Sequence, residues 1–74
     1  MESRANAEVR KVYAMWKAAN DFNAFDIERR LKVPKRTWSR RQKDFGTMTL
    51  AEFRKFVNAT QATPDEVWTM VTGR

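Results

Sequence analysis

The sequence predicts an all-α domain of five short helices, and three observations support this fold class. The 74 residues include only two Gly and two Pro, which is few for a β-rich or loop-rich chain. Apolar residues recur at steps of three and four, the period of an amphipathic helix, and no segment has the alternation of a strand. Two Thr-x-x-Glu sequences match a helix capping box. The predicted helices cover about 5–19, 24–32, 35–43, 50–59 and 64–72, within one domain of residues 1–74.

The first two helices are separated by a turn at Asn20-Asp21, residue types that accept turn conformations. An apolar stripe predicts the first helix, and its members are Ala5, Val9, Val12, Trp16 and Ala19. Asn23 is a typical cap for the start of the second helix, and Asp26 lies near its positive end. Ile27 and Leu31 are four residues apart and should face inward.

The helical pattern breaks at Val33-Pro34 and resumes immediately afterwards. Proline disfavours a helical conformation in the residue before it, yet it fits the first turn of a new helix. The chain therefore ends one helix and begins another within about three residues, which predicts a helix-turn-helix. The third helix has one large apolar residue, Trp38, which we expect to be its buried anchor. Gly46 is predicted to end this region in a left-handed conformation.

The last two helices are predicted from their capping sequences. Thr49 with Glu52 and Thr63 with Glu66 have capping-box spacing, and Pro64 stands at the first position of the fifth helix. The fourth helix is expected to bury one apolar face, formed by Leu50, Phe53, Phe56 and Val57.

Positive charge is concentrated in one part of the chain. The chain carries fifteen Lys and Arg against nine Asp and Glu, a net charge of +6. Eight of the fifteen residues from Arg29 to Lys43 are basic and none is acidic. The rest of the chain, with seven basic and nine acidic residues, therefore has a net charge of −2. A dense patch of one sign attracts a polyanion, because each neutralised phosphate releases condensed counterions.

The residue inventory argues against several classes of function. Without Cys or His the chain can form no disulfide and lacks the usual transition-metal ligands, so we expect no metal and no other cofactor. The scattered carboxylates form no catalytic arrangement, and we expect no enzyme activity. No stretch approaches the ~20 apolar residues of a membrane span, and the N-terminus has no signal-peptide pattern. We expect a cytoplasmic protein with no membrane partner.

The stretch around the predicted break has a distinctive order of residue types. It reads Ile27-Glu28-Arg29-Arg30-Leu31-Lys32-Val33-Pro34-Lys35-Arg36-Thr37-Trp38-Ser39-Arg40. This resembles the helix-turn-helix of the lambda repressor and Cro-like family, also called the XRE type. The family pattern is Leu-Ala-x-x-Leu-Gly-Val-Ser, three residues, an apolar residue, Ser and Arg. The predicted fourth and fifth helices are also similar to those of the family, so the resemblance covers about residues 6–72.

The resemblance implies a phage-encoded or mobile-element-encoded regulator of transcription that binds double-stranded DNA. Its third helix would lie in the major groove and contact base edges through Lys35, Arg36, Ser39 and Arg40. Phosphate contacts would come from Arg29, Arg30, Lys32, Arg41, Lys43, Thr47 and Thr49. The chain departs from the family pattern at three positions. Glu28 and Lys32 replace a small residue and a glycine, and Ala24 replaces a glutamine. Glu28 should therefore slide outward, or the two helices should pack farther apart.

Two further questions stay open at the level of sequence. The helix-turn-helix could instead bind an acidic protein surface, as an antirepressor or an inhibitor of a host factor does. RNA is a less favoured partner, since few aromatic residues are expected on the surface. The fifth helix has more apolar residues than one face can bury, and Trp68 and Met70 could form a homodimer surface. Core packing of Trp68 is the alternative.

Overall fold

The computed structural model describes residues 1–74 and contains five α-helices and no strand. The helices are α1 (Arg4–Asn20), α2 (Ala24–Leu31), α3 (Lys35–Lys43), α4 (Leu50–Thr60) and α5 (Pro64–Thr72). A short 3₁₀ helix, Phe45–Thr47, connects α3 to α4. The predicted all-α fold with five helices is confirmed, and every predicted helix end lies within one residue of the observed one.

Reciprocal side-chain caps set the N-terminal ends of three helices. In α2 the Asn23 side chain accepts a hydrogen bond from the Asp26 backbone N–H at 2.9 Å. The Asp26 carboxylate in turn accepts from the Asn23 N–H at 3.1 Å. The same arrangement begins α4 and α5, through Thr49 with Glu52 and Thr63 with Glu66. The predicted capping boxes of α4 and α5 and the predicted Asn23 cap are confirmed, and the reciprocal bond from Asp26 is an addition. All of them satisfy backbone donors that a helix leaves without partners in its first turn.

Left-handed residues end four of the helices. Gly73 ends α5 with φ +74°, where glycine has no steric penalty. Three residues that carry side chains adopt the same conformation at the ends of α1, α2 and α4: Asp21 (φ 52°), Lys32 (φ 57°) and Gln61 (φ 54°). The left-handed conformation costs an L-residue roughly 1–2 kcal/mol. Lys32 therefore occupies the turn position, normally glycine in the family pattern, at some expense in stability.

The prediction that Gly46 ends α3 in a left-handed conformation is wrong. The C-cap of α3 is Asp44, whose backbone is extended with φ −154°. Gly46 lies in the following 3₁₀ helix, and its N–H donates to Asp44 Oδ1 at 2.9 Å. The aspartate side chain thus caps the 3₁₀ helix directly after α3, and no positive φ is needed there.

The core is a cluster of nine buried apolar residues that draws on all five helices and their connections. Its members are Val9, Val12, Ile27, Leu31, Val33, Trp38, Phe45, Phe56 and Met70. Phe56 and Leu31 are the most completely buried, with exposed fractions of 0% and 1%. Leu50 was expected on the buried face of α4 but is 62% exposed. It is the first residue of α4, one turn before the part of the helix that covers the core.

Candidate nucleic-acid interface

The exposed face of α3 carries five hydrogen-bond donors and no acid. Its residues are Lys35, Arg36, Ser39, Arg40 and Lys43, all of them exposed. Counted from Lys35, the other four follow after one, four, five and eight residues. These positions lie on one side of an α-helix. Trp38 lies on the opposite side and is only 3% exposed. The structure therefore brings the four predicted base-reading side chains together and adds Lys43 to the same face.

Most of the cations in the basic run have no acidic partner. Salt bridges engage two of the eight: Arg29 with Asp26 at 2.7 Å and Arg41 with Glu52 at 2.8 Å. The other six form none: Arg30, Lys32, Lys35, Arg36, Arg40 and Lys43. The hydrogen bond from the Asn23 backbone, helped by Arg29, holds the pKa of Asp26 below its ordinary value. The uncompensated positive charge of the run therefore comes from α3 and the end of α2.

Arg41 differs from its neighbours because it is engaged with α4. Its Nε donates to Glu52 Oε1 at 2.8 Å and its Nη2 donates to Oε2 at 3.2 Å. Both side chains are mostly covered, with exposed fractions of 20% for Arg41 and 15% for Glu52. The Arg41 hydrogen bond, followed by that of the Thr49 backbone, lowers the pKa of Glu52 from its ordinary value. Arg41, which was predicted to contact phosphate, is thus paired with an acid of α4 and fixes α3 against that helix.

Trp38 anchors α3 from behind through three aromatic neighbours. Its ring stacks on Phe56 at a centroid distance of 5.8 Å and an interplanar angle of 25°. Tyr13 meets it edge-on at 5.3 Å, and Phe45 lies at 5.8 Å in a tilted arrangement. The indole Nε1 is buried without a hydrogen-bond partner, so Trp38 stabilises the helix through packing of its ring alone. The predicted role of Trp38 as a core anchor is confirmed.

The C-terminal end of α3 is held by side chains from the N-terminal part of the chain. Arg10 Nη2 donates to the carbonyl oxygen of Gln42 at 2.8 Å, where the helix leaves its carbonyls unpaired. Glu2 accepts from the same guanidinium at 2.8 Å. Asn6 Nδ2 also donates to Asp44 Oδ1 at 2.8 Å. With Trp38 and Arg41, these contacts hold α3 in one orientation against α1 and α4.

Thr47 and Thr49 use most of their hydrogen-bonding groups within the chain. The Thr47 hydroxyl donates to the Asp44 carbonyl at 2.7 Å, and its backbone N–H donates to the same oxygen at 3.0 Å. The Thr49 N–H donates to Glu52 Oε1 at 2.9 Å. The backbone N–H groups of Thr47 and Thr49 are therefore already paired within the chain. The Thr49 hydroxyl only accepts, from the Glu52 N–H at 3.1 Å, and its proton stays free to donate.

Besides Arg10, two further cations from outside the basic run lie beside it, and neither was predicted from the sequence to belong to the site. Lys55 of α4 donates from Nζ to the carbonyl oxygen of Lys32 at 3.1 Å, at the C-terminal end of α2. Lys17 of α1 lines a cavity of about 190 Å³ together with Lys35 and Ser39. The sequence gives no local signal for either position, because both depend on how α1 and α4 pack against the helix-turn-helix.

Glu28 adopts one of the two arrangements expected from its departure from the family pattern. Its side chain is exposed, as expected for an outward position, and lines the same 190 Å³ cavity as Lys35 and Ser39. It forms no salt bridge, and no other acidic residue lines that cavity. A free carboxylate thus lies at the edge of the basic face and opposes the approach of an anion.

Of the two residues predicted to form a dimer surface, only Trp68 is exposed. Met70 is 7% exposed and belongs to the core, because the packing of α5 on α1 turns it inward. Trp68 is 59% exposed, and Val71, one turn later, is 64% exposed. The exposed apolar patch of α5 therefore consists of Trp68 and Val71.

Comparison of the chain with protein-family models, curated proteins and solved structures finds no match. In addition, none of the five helices has the length and apolar character needed to cross a membrane.

Proposed function

We propose that the protein is a sequence-specific regulator of transcription that binds double-stranded DNA, in the manner of the lambda repressor and Cro-like proteins it resembles. The observation that carries this proposal is the exposed face of α3, on which five donor side chains stand without an acidic partner. The helix beneath them is fixed by Trp38 and by Arg41. A rigid, single-sign, donor-rich helix suits the major groove of DNA.

The side chains divide into two roles in this proposal. Lys35, Arg36, Ser39 and Arg40 contact base edges, and their donors favour guanine O6 and N7. The remaining free cations, Arg30, Lys32 and Lys43, contact phosphates and position the protein without reading sequence. Lys17 and Lys55 join this second group. Regulation follows from occupancy of an operator, which blocks or recruits polymerase.

Binding to an acidic protein surface is the alternative that the same charge allows, and a direct titration with DNA tests the proposal against it. Fluorescence anisotropy with random-sequence duplex DNA, repeated across a salt series, measures the slope of log K against log salt. Release of counterions predicts a slope of roughly −0.9 for each contacted phosphate. With five to seven such contacts the slope would be about −4.5 to −6.3. A slope near zero would contradict DNA binding.

The exposed patch of Trp68 and Val71 favours a second element of the proposal, a homodimer formed through α5. A two-fold dimer would separate two copies of α3 by about 34 Å, one turn of DNA. Sedimentation velocity of the wild type and of Trp68→Ala tests this element. A monomeric wild type at high concentration would contradict it and leave the proposed DNA contacts of α3 intact.

A further inference from the structure

Phe25 is a large aromatic residue that the core does not use. It is the second residue of α2 and is 73% exposed, while Ile27 and Leu31 of the same helix are buried. Exposure of an aromatic side chain this large leaves a substantial apolar area in water, since such a residue buries ~150–250 Å² when packed. Nothing in the folding of α2 requires Phe25 at this position.

The position of Phe25 links it to the exposed face of α3. The Nζ of Lys35 lies 5.7 Å from the centroid of the Phe25 ring, within the range of a cation–π contact. Lys35 is the first residue of α3 and the first of the predicted base-reading residues. The ring therefore stands at the N-terminal end of the candidate recognition helix, where such helices approach base edges.

The surroundings of Phe25 favour a major groove as its partner. The carboxylate of its neighbour Asp26 accepts a hydrogen bond from the Asn23 backbone N–H and forms a salt bridge with Arg29 at 2.7 Å. Asp26 therefore presents little free negative charge. Lys35 next to the ring forms no salt bridge. An anionic partner attracted by the cations would bring its own apolar groups against the ring. On the major-groove edge of DNA, the apolar group is the 5-methyl group of thymine.

We propose that Phe25 is a specificity-determining residue that contacts a thymine 5-methyl group beside the base pair contacted by Lys35. This inference rests on the proposed DNA binding. Lys35 donates to guanine acceptors, and the ring covers the methyl group of the adjacent pair, so the preferred site contains a thymine next to a guanine. The contact adds no charge, and it therefore changes sequence preference without changing the salt dependence of binding.

Deoxyuridine substitution isolates the methyl group. The preferred duplex is first selected from a random library with the wild-type protein, and each thymine is then replaced in turn by deoxyuridine, which removes only the 5-methyl group. We expect one position at which this replacement weakens wild-type binding about three- to tenfold, the size expected for one buried methyl group. With Phe25→Ala the same replacement should have no further effect. Phe25→Leu should retain part of the preference.

A matched variant and the salt slope complete the experiment. Met15 is apolar, 62% exposed and located on α1, so Met15→Ala removes exposed apolar surface elsewhere and should keep the full thymine preference. Phe25→Ala should keep the wild-type salt slope and the wild-type circular dichroism spectrum.

The outcomes separate this inference from the function on which it rests. Absence of salt-dependent DNA binding by the wild type overturns both. If the wild type binds DNA but tolerates deoxyuridine at every thymine, only the role of Phe25 is overturned. The same holds if the deoxyuridine penalty persists in Phe25→Ala.

Discussion

Arg41 donates two hydrogen bonds to Glu52 and thereby joins the last turn of α3 to the first turn of α4. Glu52 also accepts from the Thr49 N–H, so one carboxylate completes both the capping box of α4 and the attachment of α3. The surrounding residues of α3 donate to no protein acid. The helix therefore has one charged contact that fixes it and several charged groups that stay free for a partner.

The Arg41–Glu52 pair makes stability depend on pH. The folded pKa of Glu52 lies below its ordinary value of 4.5, so the pair stabilises the fold at neutral pH and this contribution is lost as the pH falls through the folded pKa. We expect Glu52→Gln to lower the melting temperature at pH 7, and the difference from wild type to shrink below about pH 4. Thermal unfolding followed by circular dichroism at a series of pH values measures this.

Glu66→Gln is a suitable control for that experiment. Glu66 forms the same capping box at the start of α5, with Thr63, but no salt bridge. The control substitution should lower the melting temperature less than Glu52→Gln at pH 7. Equal losses from the two substitutions would show that the cap alone accounts for the contribution of Glu52.

Truncation of a base-reading residue should change DNA binding differently from truncation of a phosphate-contacting residue. Arg36→Ala and Arg40→Ala should each cost about 1–3 kcal/mol of binding free energy, confined to one or two base positions. Arg30→Ala should weaken specific and random duplexes to the same extent. Binding to single-base variants of the selected site measures the difference. Equal losses on specific and random DNA for all three variants would reject the assigned base-reading roles.

Arg41 and Lys43 lie two residues apart and should behave in opposite ways. Lys43 is exposed and unpaired, so Lys43→Ala should reduce the salt slope by about 1 and leave the melting temperature nearly unchanged. Arg41→Ala should lower the melting temperature, because it detaches α3 from α4 and leaves the Glu52 carboxylate without its partner. A full unit of slope lost in Arg41→Ala, with unchanged stability, would contradict the structural role of this pair.

Glu28 should oppose DNA binding, since it forms no salt bridge and lines the same cavity as Lys35 and Ser39 of α3. Glu28→Gln should strengthen binding to all duplexes about two- to fivefold at low salt, the range expected for one exposed charge interaction. Asp65→Asn on α5 removes the same charge from a different element and should have a smaller effect. Weaker binding by Glu28→Gln would show that the carboxylate accepts hydrogen bonds from the partner.

Local chemical signals explain why so much of the fold was predictable. Each capping box is a contact between residues three apart, and Val33-Pro34 ends α2 through the geometry of proline itself. The exposed donors of α3 were also predictable from the basic run. This helix has a single large apolar residue to bury, so its charged residues must face outward. Such features depend on neighbours in sequence, and they need no knowledge of packing.

Other differences from the sequence-based predictions concern features that are set by tertiary contacts. Arg41 and Lys43 look alike in sequence, and only the approach of α4 distinguishes them, through Glu52 eleven residues away. Met70 and Trp68 are both apolar residues of α5, and packing on α1 decides which one is buried. Lys17 was missed because its position next to α3 depends on how α1 packs there.

Lys32 combines an unfavourable backbone conformation with a predicted phosphate contact, and replacement by glycine should separate the two. Glycine removes a left-handed penalty of roughly 1–2 kcal/mol, partly offset by the larger entropy of the unfolded chain. We expect Lys32→Gly to raise the free energy of unfolding by about 0.5–1 kcal/mol, which corresponds to a rise in melting temperature of roughly 2–8 °C. The same substitution should weaken DNA binding, because it removes a cation. Gln61→Gly relieves the same conformation at the end of α4 and should stabilise the fold similarly without affecting DNA binding. Chemical denaturation and anisotropy titrations on both variants measure the two effects. Unchanged DNA affinity in Lys32→Gly would remove Lys32 from the interface, and a loss of stability in both variants would show that the left-handed residues are not strained.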